Sequence, residues 1–130
     1  MSQRDSLEGI RVLIVEDDPI IALDMIYSLE DAGAETIGPC VTTARALAQI
    51  ADDAPDVAIL DVDIGSEDSG PVARVLRARG IPFVFHTGTL PQGNQLLAES
   101  DAPVLGKPTR PDDLLAALKS VLPGEAVETS

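Results

Sequence analysis

Five side chains that are suited to phosphate and metal chemistry follow four apolar segments of the chain. Glu16 and Asp17 come directly after the first segment, Asp61 after the second, Thr87 shortly after the third, and Lys107 after the fourth. Carboxylates that gather within a few ångströms repel one another, and one takes up a proton unless a cation neutralises them. Mg²⁺ suits this task because it binds one or two carboxylates, several waters and a phosphate oxygen. If the segment ends meet, the sequence predicts a magnesium site.

The same side chains could transfer a phosphoryl group. An aspartate carboxylate such as that of Asp61 can act as a nucleophile toward phosphorus and form an acyl phosphate. A metal ion and the ammonium group of Lys107 would neutralise charge on the transferring group, and positioning would supply most of the catalysis. The Thr87 hydroxyl can donate a hydrogen bond to a phosphoryl oxygen. An aspartate after one of these segments is therefore a candidate site of phosphorylation.

The apolar segments before these side chains have the composition of buried strands. Each is a nearly continuous apolar run, which is typical of parallel strands covered on both faces. They span residues 10–15, 56–60, 81–85 and 102–106. A fifth, weaker strand is predicted over residues 35–41, and Pro39 indicates that it lies at an edge of the sheet.

Helical patterns separate the strands. The first helix is predicted between Pro19 and a stop at Gly33, with Asp18 as a charge at its N-terminus. Its apolar residues recur at helical spacing; they are Ile20, Leu23, Ile26 or Tyr27, and Leu29. Further helices are predicted over residues 43–52, 71–79, 94–100 and 112–122, and loops over 61–70 and 86–93. Such alternation specifies an α/β fold with a parallel sheet, in which ligands bind beyond the carboxyl ends of the strands.

Length and charge limit the classes of protein. The 130 residues with 45% hydrophobic content fit one domain over 10–122, with a polar arm over 1–9 and a tail over 123–130. The formal net charge of −13 argues against nucleic acid or an anionic membrane as a direct partner. No signal peptide is evident, and no apolar run approaches the roughly 20 residues that span a bilayer. We therefore expect a soluble protein. The one cysteine, Cys40, cannot form an internal disulfide, which suits a reducing cytoplasm. We expect Cys40 to be a small core or edge residue.

Four ordered motifs resemble those of the two-component response regulator receiver family. VLIVEDDP at 12–19 resembles its first strand and acidic pair, and AILD at 58–61 resembles the strand that ends in the phosphoacceptor. Thr87 stands at the family's Ser/Thr position, and Lys107 with Pro108 matches its Lys-Pro motif. The intervals are also similar; they are 44, 26 and 20 residues between Asp17, Asp61, Thr87 and Lys107.

The resemblance covers about residues 10–122 and implies a fold and a set of roles. The fold would be a doubly wound, five-stranded parallel sheet of strand order 2-1-3-4-5, which is the flavodoxin-like receiver fold. Asp61 would be the phosphoacceptor, Thr87 the switch hydroxyl and Lys107 the contact to the phosphoryl group. Four residues would bind Mg²⁺: Glu16, Asp17, Asp61 and, through its backbone carbonyl, Asp63.

The resemblance also implies partners. A histidine kinase or histidine phosphotransferase would donate the phosphoryl group, and an unidentified downstream protein would read the phosphorylated state. We expect a stand-alone domain that acts through that partner or as an intermediate in a relay. It would not be an enzyme beyond catalysing its own phosphorylation and dephosphorylation.

The sequence departs from the family pattern at three places. The aromatic residue usual three positions before the lysine is Val104 here, and the loop after Asp61 reads VDIGSEDSGP. PFVFHTG at 82–88 resembles the FATGUY variant of single-domain receivers, a subgroup associated with general stress-response phosphorelays. His86 stands where that variant has alanine, and we interpret it as a strand-end residue that fills this position.

Two other functions fit parts of the sequence. LDVDIG at 60–65 resembles the nucleophile motif of small phosphohydrolases of the haloacid-dehalogenase type, although the acidic pair of that family comes last in the chain rather than first. A receiver-like interaction module that is never phosphorylated is the other alternative. The complete set of acidic pair, Asp61, Thr87 and Lys107 argues against it.

Overall fold

The computed structural model describes residues 7–65, 67–88 and 101–123. Its main sheet has five strands: β1 (Arg11–Val15), β2 (Glu35–Cys40), β3 (Val57–Asp61), β4 (Phe83–Thr87) and β5 (Val104–Gly106). Four helices flank this sheet: α1 (Pro19–Asp31), α2 (Thr43–Asp52), α3 (Gly70–Ala78) and α4 (Pro111–Val121). No helix in these ranges is long and apolar enough to cross a membrane.

The five strands pair in parallel in the order β2-β1-β3-β4-β5. The predicted doubly wound, flavodoxin-like sheet of order 2-1-3-4-5 is therefore confirmed. The central strands β1, β3 and β4 are almost entirely buried, as their apolar composition predicts. β2 forms an edge, where Pro39 is tolerated although it has no N–H to donate.

Apolar side chains form one layer on each face of the sheet. The layer under α2 and α3 includes Ala46, Ile50, Val72 and Leu76. The layer under α1 and α4 includes Met25, Leu29, Leu114 and Leu118. Cys40 belongs to the first layer, as predicted for a small core or edge residue, and burial raises the pKa of its thiol. Because helices cover both faces of the sheet, a ligand can reach it at the rim formed by the carboxyl ends of the strands.

Side-chain caps set the starts of two helices. Asp18 Oδ1 accepts a hydrogen bond from the backbone N–H of Ile20 at 2.9 Å, and Pro19 occupies the first turn of α1. Thr42 Oγ1 accepts from the N–H of Arg45 at 3.1 Å at the start of α2. The predicted position of Asp18 at the N-terminus of a helix is confirmed.

A short β-hairpin stands where a loop was predicted over residues 61–70. Asp63–Ile64 pairs in antiparallel fashion with Glu67–Asp68. Ile64 is buried in the α2–α3 layer, and Gly65 turns the chain with a φ of 61°, which glycine adopts without steric cost. A two-residue strand is too short to show an alternating pattern, so the polar sequence read as a loop. This segment is called the 63–68 hairpin below.

Of the apolar residues whose spacing predicted α1, only Leu29 is buried. The buried residues are Ala22, Met25 and Leu29. The residues left largely exposed are Ile20 (78%), Leu23 (49%) and Tyr27 (65%). The helix is apolar on two sides, so spacing alone did not select the side that packs on the sheet. The three exposed residues, spaced at three and four positions, form a stripe that is called the α1 stripe below.

Three predicted boundaries are wrong, one of them the start of β5, which lies at Val104 and not at residue 102. Leu7 is 1% exposed and its N–H donates to the carbonyl of Ala32 at 2.8 Å, so the packed domain begins at Leu7 and not at residue 10. Residues 1–6 and 124–130 of the predicted arm and tail lie outside the described residues. β4 runs over Phe83–Thr87 instead of 81–85, because the N–H of Ile81 is used to end α3. The helix predicted over 94–100 also lies outside the described residues.

Candidate functional site

The sheet topology brings the predicted side chains to one rim. β1 and β3 are neighbours with Val15 opposite Leu60, so Glu16 and Asp61, which follow these two residues, leave the sheet side by side. β4 is the other neighbour of β3 and places His86 opposite Asp61. The N–H of Lys107 donates to the carbonyl of Thr87 at 2.9 Å and joins the ends of β4 and β5. Residues that are up to 91 positions apart in the chain therefore meet.

Three carboxylates converge at the centre of this rim. Glu16, Asp17 and Asp61 each offer one oxygen, and these oxygens all lie within 4.8 Å of one another. Glu16 and Asp61 are only 1% and 4% exposed, whereas Asp17 is open to solvent. Glu16 Oε1 is buried and accepts no hydrogen bond. A buried carboxylate oxygen without a hydrogen bond, beside two further carboxylates, fits a hard divalent cation such as Mg²⁺.

The ammonium group of Lys107 lies against two of these carboxylates. Its Nζ is 3.1 Å from Asp61 Oδ2 and 3.3 Å from Glu16 Oε1. Burial tends to lower the pKa of Lys107, but the hydrogen bond and charge of Asp61 and the charge of Glu16 outweigh it and raise the pKa. Lys107 is therefore a permanent positive charge at this rim.

The two buried carboxyl groups have pKa values shifted in opposite directions. Burial tends to raise the pKa of Glu16, but His86, the N–H of Asp18 and Lys107 together lower it. Burial and then the charge of Glu16 raise the pKa of Asp61 to about 6, against the opposing effect of Lys107. Glu16 is thus the fixed anion of the pair, and Asp61 is the group whose ionisation depends on its surroundings.

The two adjacent aspartates at the start of α1 have different surroundings. Asp17 Oδ2 accepts a hydrogen bond of 2.7 Å from the N–H of Gly65 in the 63–68 hairpin. Asp18 instead caps the helix through the N–H groups of Ile20 and Ile21. Only Asp17 belongs to the carboxylate cluster. Asp18 thus caps α1, whereas the role of Asp17 as a metal ligand stays a prediction.

Asp63 and Thr87 lie at the border of the cluster. The N–H of Asp63 donates to Asp61 Oδ1 at 3.3 Å, so its backbone runs beside the predicted phosphoacceptor. The role of its carbonyl as a ligand stays a prediction. Thr87 is buried at the last position of β4, one residue after the partner of Asp61. Its role as the switch hydroxyl also stays a prediction.

His86 and Gly65 are neighbours of the cluster whose contacts the sequence did not predict. His86 is 3% exposed, and its Nδ1 lies 3.8 Å from Glu16 Oε1 with no hydrogen-bond partner for either atom. The sequence did contain a signal for the contact of His86: a histidine at the end of the strand that follows the Asp61 strand could be expected near the carboxylates. Gly65 gave no signal, because its contribution is a backbone N–H.

A groove opens beside the cluster between α1 and α4. It has a volume of about 320 Å³. Its apolar wall includes Ile21, Met25, Pro111 and Leu114, and His86 and Lys107 line it on the side of the cluster. The α1 stripe lies on the same helix as this wall. The rim therefore combines a charged centre with an apolar surface next to it.

Sequence and structure comparisons relate this site to known proteins. Residues 12–119 match the response regulator receiver domain. The DNA-binding response regulator MtrA from Mycolicibacterium smegmatis is 32% identical over 117 residues, which cover 86% of this chain and 50% of MtrA. The solution structure of SdrG from Sphingomonas melonis Fr1 is 41% identical with a TM-score of 0.77, covering 94% of this chain and 99% of SdrG.

PhyR proteins are also similar in structure. PhyR from Brucella abortus is 27% identical with a TM-score of 0.81, covering 98% of this chain and 53% of PhyR. A second PhyR structure, named a stress response regulator, is 26% identical with a TM-score of 0.76. The match covers 92% of this chain and 47% of that PhyR chain. The chain thus spans about half the length of MtrA and of PhyR. With its fold, its rim of carboxylates and the match over residues 12–119, the chain belongs to the response regulator receiver domain family.

Proposed function

We propose that this receiver domain accepts a phosphoryl group on Asp61 from a phosphorylated histidine, in a reaction that depends on Mg²⁺. The observation that carries the proposal is the meeting of Glu16, Asp17 and Asp61 within 4.8 Å, with Lys107 Nζ 3.1 Å from Asp61 Oδ2. A nucleophilic carboxylate, ligands for a cation and a fixed ammonium group are the parts that phosphoryl transfer needs.

The transfer step assigns a task to each side chain. A carboxylate oxygen of Asp61 forms a bond to phosphorus, while the bond from phosphorus to the donor imidazole nitrogen breaks. The electron pair of that bond stays on the imidazole. Lys107 balances the charge on the transferring group, and the Thr87 hydroxyl donates to a phosphoryl oxygen. Histidine kinases and histidine phosphotransferases carry such donors.

The cation would be held by Glu16, Asp17, Asp61 and the backbone carbonyl of Asp63. When bound, Mg²⁺ neutralises charge on the phosphoryl oxygens and on the two buried carboxylates. The residues favour it for a physical reason: Asp61, with its pKa raised to about 6 beside Glu16, is easier to ionise when a cation lies next to both groups. An ionised Asp61 is the form that attacks phosphorus.

The surface around the cluster suits a protein donor. The α1 stripe exposes three apolar side chains on the helix that forms one wall of the groove lined by His86 and Lys107. Asp17 and Asp18 directly precede this helix, Asp24 and Asp31 lie on it, and the chain as a whole has a net charge of −13. An apolar helix face with basic residues at its border, carried by the histidine protein, would complement this surface.

Phosphorylation would be read by a downstream protein. Thr87 and Lys107 are joined by a backbone hydrogen bond, so a phosphoryl group that contacts both side chains would move the ends of β4 and β5 together. This movement biases a two-state equilibrium of the surface that those strands support. Val104 stands in β5 at the usual aromatic position, so the change does not pass through an aromatic ring there. The FATGUY-like segment 82–88 and the similarity to PhyR support a stress-response relay.

Transfer from a panel of phosphorylated histidine proteins tests the function. We expect one stoichiometric, base-labile label on wild-type protein in the presence of Mg²⁺, and none with EDTA or with Asp61→Asn. Absence of transfer from every donor, together with no Mg²⁺-dependent change with a small phosphodonor, would instead indicate a module that is never phosphorylated. Sustained turnover of a generic phosphate ester would indicate a phosphohydrolase.

A further inference from the structure

The 63–68 hairpin donates two backbone hydrogen bonds to the carboxylate cluster, from Asp63 to Asp61 Oδ1 and from Gly65 to Asp17. The N–H of Gly65 donates to Asp17 Oδ2 at 2.7 Å, although the two residues are 48 positions apart. Asp17 is the one exposed member of the cluster, so the surrounding protein does not otherwise fix its carboxylate by burial. The hairpin thus holds Oδ2, one of the two carboxylate oxygens of Asp17.

The hairpin is itself anchored at three points. Ile64 is buried in the α2–α3 layer, which fixes the first strand of the hairpin. Glu67 Oε1 accepts from the N–H of Thr43 at the start of α2 at 3.4 Å. Asp68 Oδ1 accepts from the N–H of Gly70 at the start of α3 at 2.8 Å. These contacts restrict the movement of the hairpin, and with it the backbone N–H of Gly65. The hydrogen bond from Gly65 therefore holds the Asp17 carboxylate in one orientation.

We propose that Gly65 is a positioning residue, which orients the Asp17 carboxylate for the cation through its backbone N–H. The proposal rests on the Mg²⁺ site of the proposed function and adds the element that pre-organises its exposed ligand. A carboxylate that must be ordered on binding loses conformational entropy, whereas a pre-oriented one does not. The 63–68 hairpin thereby links the occupancy of the cation site to the starts of α2 and α3.

The test compares two glycine-to-proline substitutions. Gly65→Pro removes the N–H that bonds to Asp17 at a position where φ is 61°. Gly80→Pro is the matched control, since φ there is 72° and the lost N–H donates to Arg77 at the end of α3, away from the cluster. An added Cβ meets no atom within 4 Å at either glycine. Each variant loses one backbone hydrogen bond and replaces a positive φ with the φ near −65° that proline imposes, so the thermal stability of both is measured beside the Mg²⁺ affinity.

Isothermal titration calorimetry with MgCl₂ measures the outcome, because the chain has no tryptophan to report on binding. We expect the Mg²⁺ dissociation constant to rise roughly 10-fold in Gly65→Pro and less than about 2-fold in Gly80→Pro, with similar losses of thermal stability. If Gly65→Pro and wild type bound Mg²⁺ with equal affinity, the positioning role of Gly65 would be wrong, while the metal site of the proposed function would stand. If wild type does not bind Mg²⁺, the metal site of the proposed function is wrong, and this proposal with it.

Amide hydrogen exchange in Asp17→Ala gives a second measurement that needs no proline variant to fold. Loss of the acceptor should speed exchange of the Gly65 amide at least about 10-fold, because a held amide exchanges only when its bond opens. The amide of Gly80 should exchange at its wild-type rate. An unchanged Gly65 rate in Asp17→Ala would contradict the proposal.

Discussion

Lys107 Nζ lies between Asp61 and Glu16, 3.1 Å from Oδ2 of the first and 3.3 Å from Oε1 of the second. The lysine side chain is about one-fifth exposed, so its charge is screened less than that of a surface lysine. In the absence of a cation, this ammonium group is what keeps two buried carboxylates side by side. During transfer, the same group would face the phosphoryl oxygens.

Replacing Lys107 should therefore affect transfer more than metal binding. We expect Lys107→Ala to slow phosphotransfer to Asp61 by roughly 100-fold, the effect of removing one charged donor from a transferring group. The Mg²⁺ dissociation constant should change much less, because lysine is not a ligand. Lys119→Ala, which removes the other lysine of the chain, is the control and should leave both values unchanged. A larger effect on Mg²⁺ affinity than on rate would refute this role.

Asp61→Asn should abolish transfer and stabilise the metal-free domain near neutral pH. Because the pKa of Asp61 is about 6 in the folded state and about 4 when unfolded, the folded state binds the proton more tightly. The stability that this proton contributes is present below pH 4 and is lost as pH rises through 6.

Urea unfolding at pH 4 and pH 7.5 measures this effect. Relative to wild type, Asp61→Asn should gain on the order of 1–3 kcal/mol in unfolding free energy on going from pH 4 to pH 7.5. Asp101→Asn, an exposed aspartate away from the cluster, should show no such gain. A pH-independent difference between wild type and Asp61→Asn would argue against a raised pKa at Asp61.

Binding of Mg²⁺ should weaken as the solution becomes more acidic than pH 6. Protons and the cation compete for the Asp61 carboxylate, whose pKa of about 6 sets where the competition begins. We expect the apparent dissociation constant to be nearly constant from pH 8 to 7 and to rise up to about 10-fold per unit below 6. Calorimetric titrations at constant ionic strength across this range provide the measurement. A constant affinity down to pH 5 would show that Asp61 does not bind the cation.

Neighbouring aspartates at the start of α1 should respond in opposite ways to substitution. Asp17→Ala should raise the Mg²⁺ dissociation constant at least about 10-fold with little change in stability, because it removes a ligand. Asp18→Ala should cost about 1 kcal/mol of stability, because it removes the cap on Ile20 and Ile21, and should leave Mg²⁺ affinity nearly unchanged. Titration and thermal unfolding of both variants check the pair. Equal effects on Mg²⁺ affinity would mean that the two roles are not separate.

The sequence predicted the sheet and the gathering of acidic groups because both follow from strong local patterns. Runs such as 57–60 are apolar without interruption, which is typical of a strand covered on both faces, and the ends of parallel strands meet at one rim of the sheet. Because the strands are parallel, the carboxylates that follow them all lie at the same rim of the sheet. Glu16, Asp17, Asp61 and Lys107 were therefore placed together by fold alone.

What the sequence could not predict depends on tertiary packing or on the backbone. α1 has apolar residues on two sides, and the choice of Met25 over Leu23 as a core residue is made by the sheet beneath it. The bond from Gly65 to Asp17 uses a peptide N–H, which every residue except proline possesses. The 3.8 Å approach of His86 to Glu16 depends on strand register, which side-chain patterns do not fix to one residue.

The α1 stripe should matter to the phosphoryl donor and not to the chemistry. A charge at Leu23, which is 49% exposed, would oppose an apolar partner surface while leaving the carboxylate cluster intact. We expect Leu23→Glu to lower the rate of transfer from the cognate histidine protein at least about 10-fold, and to leave labelling by a small phosphodonor within about 2-fold of wild type. Ala48→Glu adds the same charge to an exposed position on α2, across the sheet, and should change neither rate. If Leu23→Glu accepted phosphoryl groups from its protein donor at the wild-type rate, the donor would have to bind elsewhere; equal slowing with both donors would instead mean that the substitution disturbs the site itself.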